Sequence, residues 1–158
     1  LDIILIALPY ELRNVTDMPL FDDRFYLAHH QRSSFVDPAK FNMNTLPSDS
    51  ILLLEDGHCL RDHALSACNI KNADKVSSIT ATSLLTLVQM VDADLGITYL
   101  PEMAVNSPLL KNTKIKTVAM DASSYRQIGL VWRKASTRHD EFRMLGDFIR
   151  THYQSEQS

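Results

Sequence analysis

Apolar residues fall along this chain in short runs that switch between two periods. Ile3 to Leu8 is a continuous apolar run of buried-strand type, halted by Pro9. A second strand is expected from about Phe25 to Ala28, after a turn at Asp22-Asp23. Residues 31 to 50 hold Pro38, Pro47 and many Ser, Asn and Asp, which predicts loop with room for one short helix. Ile51 to Leu54 reads as a short buried strand, Asp56-Gly57 as a turn, and Cys59 to Cys68 as a helix of under three turns. Val76 to Ala81 reads as strand. From Ser83 to Val91 the period changes: Leu84, Leu87, Val88 and Val91 stand at i, i+3, i+4 and i+7, one face of a helix. Ile97 to Leu100 is strand again, ended by Pro101, which suits the first turn of a following helix. Ile115 to Met120 and Ile128 to Trp132 are strands parted by a polar turn. A closing helix from Asp140 to Tyr153 carries Phe142, Leu145, Phe148 and Ile149 as its stripe, and Gln154 to Ser158 are expected to fray. Strands that alternate with helices predict an α/β architecture with a largely parallel sheet.

Composition narrows the classes. A chain of 158 residues, 45% hydrophobic and 22% charged, suits one modest soluble domain. Its net charge of -3 argues against this piece binding nucleic acid by itself, which calls for a basic patch or stripe. No apolar run approaches the roughly 20 residues of a membrane span. LDIILIALPY lacks the basic flank and small-residue cleavage site of a signal peptide, so a cytoplasmic protein with no membrane partner is expected. The chain opens on Leu1, inside an apolar segment, and is expected to be a piece of a longer protein.

The chemistry concentrates between Glu55 and Cys68. Two cysteines do not make a disulfide scaffold, and a cytosolic disulfide is usually transient, catalytic or redox-sensing. Cys59 follows an Asp-Gly turn at the start of a helix, where free amides and the positive dipole end favour a thiolate over a thiol. His58 and Arg61 add donors or positive charge, and His63 stands four residues on, over the same helical face. Arg61, two residues on, points nearly away from Cys59 on an ideal helix. Its help therefore requires Cys59 to lie in the turn just before regular helix.

Nine residues of helix mean a rise of about 13 Å and a rotation of about 180°, whereas a disulfide needs Cα atoms within about 7 Å. If Cys59 and Cys68 pair, the helix between them must unwind, and bond formation becomes a conformational switch. Leu60, Ala64, Ala67 and Cys68 make the apolar face, so Cys68 should be buried and unreactive. The alternative is that both are ordinary small core residues, as free cysteines often are. The residues alone leave these two readings in balance. No metal or cofactor is expected. His29-His30 has no ligand cluster at suitable spacing, and Cys59 with His58 and His63 suits a reactive thiol better than a metal site. No G-x-S-x-G elbow, P-loop or dinucleotide fingerprint appears, and Tyr99 and Trp132 read as packing.

The run LLLEDGHCLRDHALSAC resembles the redox signature of the OxyR-type, peroxide-sensing branch of the LysR-type transcriptional regulators. ATSLLTLVQMV, GITYLP and RQIGLVWR follow in matching order and spacing, so the resemblance spans essentially the whole chain. It implies that Cys59 is the peroxide-sensing thiol and Cys68 the resolving one, joined in a disulfide on oxidation. It further implies that His58 and Arg61 polarise peroxide or stabilise the thiolate, and that Arg126 approaches the sensing pocket. The implied fold is a periplasmic-binding-protein-like effector domain of two α/β subdomains joined by crossover strands, with its N-terminal part missing. Residues 1–21 and 128–158 would belong to subdomain I, and 22–127 to subdomain II. The implied partners are hydrogen peroxide, further copies of the chain in a homodimer or homotetramer, and a thiol reductant such as glutaredoxin. Promoter DNA would be met only through an absent winged helix-turn-helix, and RNA polymerase by the full-length activator. On the family pattern Thr80 stands just before ATSL, where Arg is usual, and Asp94 where Gly is usual. The rival readings are a LysR-type domain that binds a small metabolite, with incidental cysteines, and a thiol peroxidase that turns over. The resemblance favours a stoichiometric switch that is not an enzyme.

Overall fold

The computed structural model describes residues 2–9 and 13–156. Seven strands appear among them: β1 (Ile3–Leu8), β2 (Val15–His30), β3 (Ile51–Leu54), β4 (Val76–Ala81), β5 (Thr98–Pro101), β6 (Ile115–Ala119) and β7 (Tyr125–Arg133). The helices are α1 (Cys59–Ala67), α2 (Leu84–Asp92), α3 (Glu102–Val105) and α4 (His139–Glu156). The described residues form two compact units, one from 1–23 with 126–158 and the other from 24–125. The divisions fall at 23/24 and 125/126.

In the first unit β7 lies between β1 and β2. β1 pairs antiparallel with it, from Ile3 opposite Trp132 to Leu8 opposite Gln127. At one end Lys134 donates its amide to the Asn14 carbonyl at 2.9 Å. At the other, Arg126 meets Asp23, so β2 also runs against β7. The expected parallel sheet is therefore not found in this unit. α4 covers the sheet with Phe142 and Ile149, packed on Leu20, Leu130 and Trp132. Gly146 permits the approach, since a Cβ there would stand 2.5 Å from the Met18 sulfur. Leu145 and Phe148, expected in the buried stripe, are 42% and 68% exposed. Phe142, Gly146 and Ile149 share one face, and the two outliers lie about 60° and 120° round the helix from it. The helix continues through Glu156, past the expected onset of fraying at Gln154, while residues 157 and 158 lie outside the described residues.

β2 corrects a second expectation. Asp22-Asp23 reads as a turn and only Phe25 to Ala28 as strand, yet one strand of 16 residues runs through both. Asp23 is wholly buried there and binds Arg126, so the ion pair and the ladder override its preference for turns.

In the second unit the strand order is β4-β3-β5-β2-β6. β3 and β4 pair in parallel, from Ile51 opposite Val76 to Leu54 opposite Ala81. A parallel bridge between Ile51 and Ile97 joins β3 to β5, with Leu52 donating to the Ile97 carbonyl at 2.7 Å. β2 then runs antiparallel to both β5 and β6. The parallel expectation thus holds for β3, β4 and β5, and fails at β2. Residues 31 to 50 are loop with two short 3-10 turns, Pro38–Lys40 and Met43–Thr45. Pro101 ends β5 and caps α3, one position before the helical turn expected for it.

Strand alternation sorts the core of this unit onto two faces. Phe25, Leu27, Ile51, Leu53, Ile97 and Tyr99 pack with Ala64 and Cys68 of the α1 segment. Leu52, Leu54 and Ala81 pack on the opposite face against Leu87 and Val91 of α2. Ser83 caps α2 by accepting from the Thr86 amide at 3.1 Å. At its far end Asp94 takes φ 55, and Leu95 donates to the Met90 carbonyl and Asp94 to that of Val91. This six-to-one and five-to-two pattern wants a left-handed residue, a conformation that glycine adopts without strain.

Candidate functional site: a thiol pair at the two ends of one helix

The site is built on the turn from β3 into α1. Leu54 ends a fully buried strand, and Asp56-Gly57 reverses the chain with Gly57 at φ 92, a conformation that favours glycine. His58 is the N-cap, in extended conformation and without a side-chain capping hydrogen bond. Its Nε2 lies 3.8 Å from Glu55 Oε1, both side chains being about half exposed. Cys59 is the first helical residue, exposed and free.

Arg61 turns back over the loop. Its Nη1 donates to the Leu54 carbonyl at 2.9 Å, and its Nε meets Asp56 Oδ1 at 3.0 Å. The guanidinium, only 17% exposed, therefore clamps the β3–α1 turn on which Cys59 is mounted. Cys59 is not in the turn before regular helix, the placement that direct help from Arg61 required. Five donors in a fixed fork let arginine bind a carbonyl and a carboxylate together, which lysine does less well. His63 is partly buried on the same helix.

The other end of α1 is closed firmly. Cys68 is the C-cap, and its amide donates to the Ala64 carbonyl at 3.0 Å. Asn69 takes φ 54, Asn69 donates to Ser66, and Ile70 donates to Leu65 at 3.0 Å. Ile70 then anchors the exit in the core. Asparagine directly after a helix is the sequence signal for this stop, and the sequence reading passed over it. Cys68 is 5% exposed and free, and burial pushes its thiol up to about 12. Below that pH it is a neutral thiol in hydrocarbon, as the apolar stripe of α1 implies.

Arg126 belongs to the first unit. Its Nε and Nη2 bind Asp23 Oδ2 at 2.9 and 2.8 Å. Asp23 was missed from the sequence, because its place in a long strand is decided by pairing. His29 is buried, with its Nδ1 2.8 Å from the His30 carbonyl oxygen. Among the described residues no group of three or more His, Cys, Asp and Glu is placed to hold a metal ion.

Two α/β units, with a chain that crosses between them in β2 and again at the start of β7, make this an effector domain of the periplasmic-binding-protein type. The family model of the LysR substrate binding domain matches residues 1–154, and the chain belongs to that family. It is 34% identical over 151 residues to the HTH-type transcriptional regulator EstR of Acinetobacter baylyi, covering 95% of this chain and 50% of that protein. To the hydrogen peroxide-inducible genes activator of Dickeya chrysanthemi it is 35% identical over 154 residues, 98% of this chain and 50% of that one. The reduced form of the regulatory domain of OxyR2 from Vibrio vulnificus has the same fold, with a TM-score of 0.89 at 36% identity. That match covers 96% of this chain and 71% of the solved one. The chain spans about half the length of the curated relatives it matches.

Proposed function

We propose that this chain is the peroxide-sensing regulatory part of a LysR-type transcription activator. The observation that carries the reading is the placement of two free cysteines at opposite ends of one nine-residue helix, one exposed and one buried. Peroxide gives up one oxygen to Cys59, forming a sulfenic acid and water. The Cys68 thiol then attacks the Cys59 sulfur: the S–O bond breaks, the S–S bond forms, and the Cys68 proton leaves with the hydroxide as water. Because a disulfide needs Cα atoms within about 7 Å, α1 has to unwind for the second step. The new surface is the signal.

The cytoplasm, with its thiol reductants, is the compartment this cycle needs, and a reductant of the glutaredoxin kind would reset the switch. The remainder of the protein would supply a winged helix-turn-helix for promoter DNA, and copies would pair as homodimers or homotetramers whose rearrangement reaches RNA polymerase. Arg126 would approach the sensing pocket, and residues on either side of the two crossings would act as the two regulatory subdomains. Turnover is not part of the scheme, so the protein is a switch and no enzyme.

Mass spectrometry after brief peroxide exposure tests the reading, using the wild-type chain and Cys59→Ser. A Cys59–Cys68 crosslink in the first and none in the second is expected. A full response to an organic effector in Cys59→Ser would instead mark a metabolite reader, and sustained peroxide consumption with a reductant would mark a thiol peroxidase.

A further inference from the structure

In the first unit, where β7 ends and β2 begins, the surface is hollowed. A cavity of about 670 Å³ is lined by Arg13, Asn14, Val15, Arg133, Lys134 and Ala135. A smaller one, of about 140 Å³, shares Val15 and Arg133 with it and adds Asp2, Ile3, Ile4, Val131 and Trp132. Arg13, Arg133 and Lys134 are all exposed, and none of them has an ion pair among the described residues. The carboxylate in the lining, Asp2, faces Arg138 instead, at 3.9 Å. Like charges gathered round a concavity repel one another, and its low-dielectric walls focus their field on whatever enters. The cations are also held in place. Lys134 donates its amide to the Asn14 carbonyl at 2.9 Å, which ties the two cationic segments together. His139 secures the same turn: its Nδ1 accepts from the Trp132 indole at 2.8 Å, so its Nε2 carries the ring proton and donates to the Lys134 carbonyl at 3.2 Å.

We propose that this recess binds a small organic phosphate, a monoester whose dianion meets Arg13, Arg133 and Lys134 and whose body lies against the apolar walls. The site belongs to the first unit and does not depend on the thiol pair of the second. A phosphate monoester puts close to two negative charges on one group, which is what three unpaired cations call for. Two arginine forks can take its oxygens in pairs, and the lysine adds a point charge. The larger cavity also falls within the range of about 300 to 1,000 Å³ usual for small-molecule sites. A nucleic-acid backbone fits less well, because it has no use for Ile4, Val15 and Val131 in the walls, and the chain's net charge of -3 opposes a polyanion.

Trp132 is the chain's single tryptophan and lines the smaller cavity, so its fluorescence reports occupancy. Phenyl phosphate is titrated into the wild-type chain, Arg133→Gln, Lys134→Gln and Arg143→Gln, the last replacing an exposed cation of α4 that lies outside the lining. Saturable binding is expected in the wild-type chain and unchanged in Arg143→Gln, with affinity about tenfold lower in Arg133→Gln and in Lys134→Gln. Inorganic phosphate, which lacks the apolar body, should bind about tenfold more weakly than phenyl phosphate. No saturation of the wild-type chain below about 10 mM would overturn the inference. Equal losses in Arg143→Gln and Arg133→Gln would overturn it too, by marking a diffuse charge effect. So would inorganic phosphate binding as well as phenyl phosphate. A short DNA duplex that binds tighter than phenyl phosphate and fails in the same two variants would assign the cations to a nucleic-acid backbone instead. The peroxide crosslink between Cys59 and Cys68 is read separately, and the proposed function stands or falls by that measurement alone.

Discussion

Cys59 opens α1 and Cys68 caps its last turn, so one helix carries an exposed sulfur at its start and a buried sulfur at its end. Nine residues of helix hold them about 13 Å apart along the axis. The reduced fold therefore keeps the pair from reacting, and the stability of α1 itself becomes the resistance that oxidation must overcome.

Strengthening the helix stop should slow the disulfide step. Asn69 holds φ 54, and glycine adopts that conformation without strain. Asn69→Gly is expected to stabilise the end of α1 by about 0.5 kcal/mol and to slow crosslinking about twofold, with dimedone trapping at Cys59 unchanged. Stopped-flow oxidation followed by mass spectrometry checks both.

Replacing Cys68 should damage the fold as well as the crosslink. A serine hydroxyl at a 5% exposed apolar site is expected to reduce stability by about 1–3 kcal/mol. Cys68→Ala removes the thiol without adding a hydrogen-bonding group and should lose less. Urea unfolding of the two variants gives the order.

The buried thiol also sets a pH dependence. Cys68 titrates near 9.0 when unfolded and near 12 when folded, so the folded state retains a proton that the unfolded state has lost. Its contribution is complete below about pH 9 and declines as pH rises towards 12, by at most about 1.4 kcal/mol per pH unit. Denaturation midpoints between pH 8 and 11 should therefore fall more steeply for the wild-type chain than for Cys68→Ala. Parallel curves would contradict the assignment.

Arg61 should behave as a clamp on the turn. Arg61→Ala leaves the Leu54 carbonyl and the Asp56 carboxylate without it, and a loss of about 1–2 kcal/mol in urea unfolding is expected. Arg61→Lys should recover less than half of that loss, because an ammonium does not reproduce the fork.

Breaking the Asp23–Arg126 pair from one side should be costly. Asp23 is fully buried and Arg126 17% exposed, so Asp23→Ala strands a guanidinium and should lose about 3 kcal/mol in the same assay.

Local residues determined the helix that carries the two cysteines. The Asp-Gly turn, the helical register and the apolar stripe Leu60, Ala64, Ala67 and Cys68 are short-range features, so a buried Cys68 was readable before any fold was known, whereas the same residues left Cys59 between an exposed thiol and a core residue. The strands Ile3–Leu8, Ile51–Leu54 and Val76–Ala81 were readable for the same reason, since an apolar run bounded by turn residues carries its own signal. Tertiary structure alone decided the rest. Asp22 and Asp23 lie in a 16-residue strand because distant partners supply the ladder and a counter-charge. Leu145 and Phe148 face outwards because the sheet chose a neighbouring face of α4. Arg61 clamps its own turn because Leu54 and Asp56 are folded back within its reach. Tyr99 and Cys68 share one core cluster, which no pattern near either residue announces. Periodicity reports which residues prefer to be buried; which groups then meet depends on pairings between segments far apart in the chain.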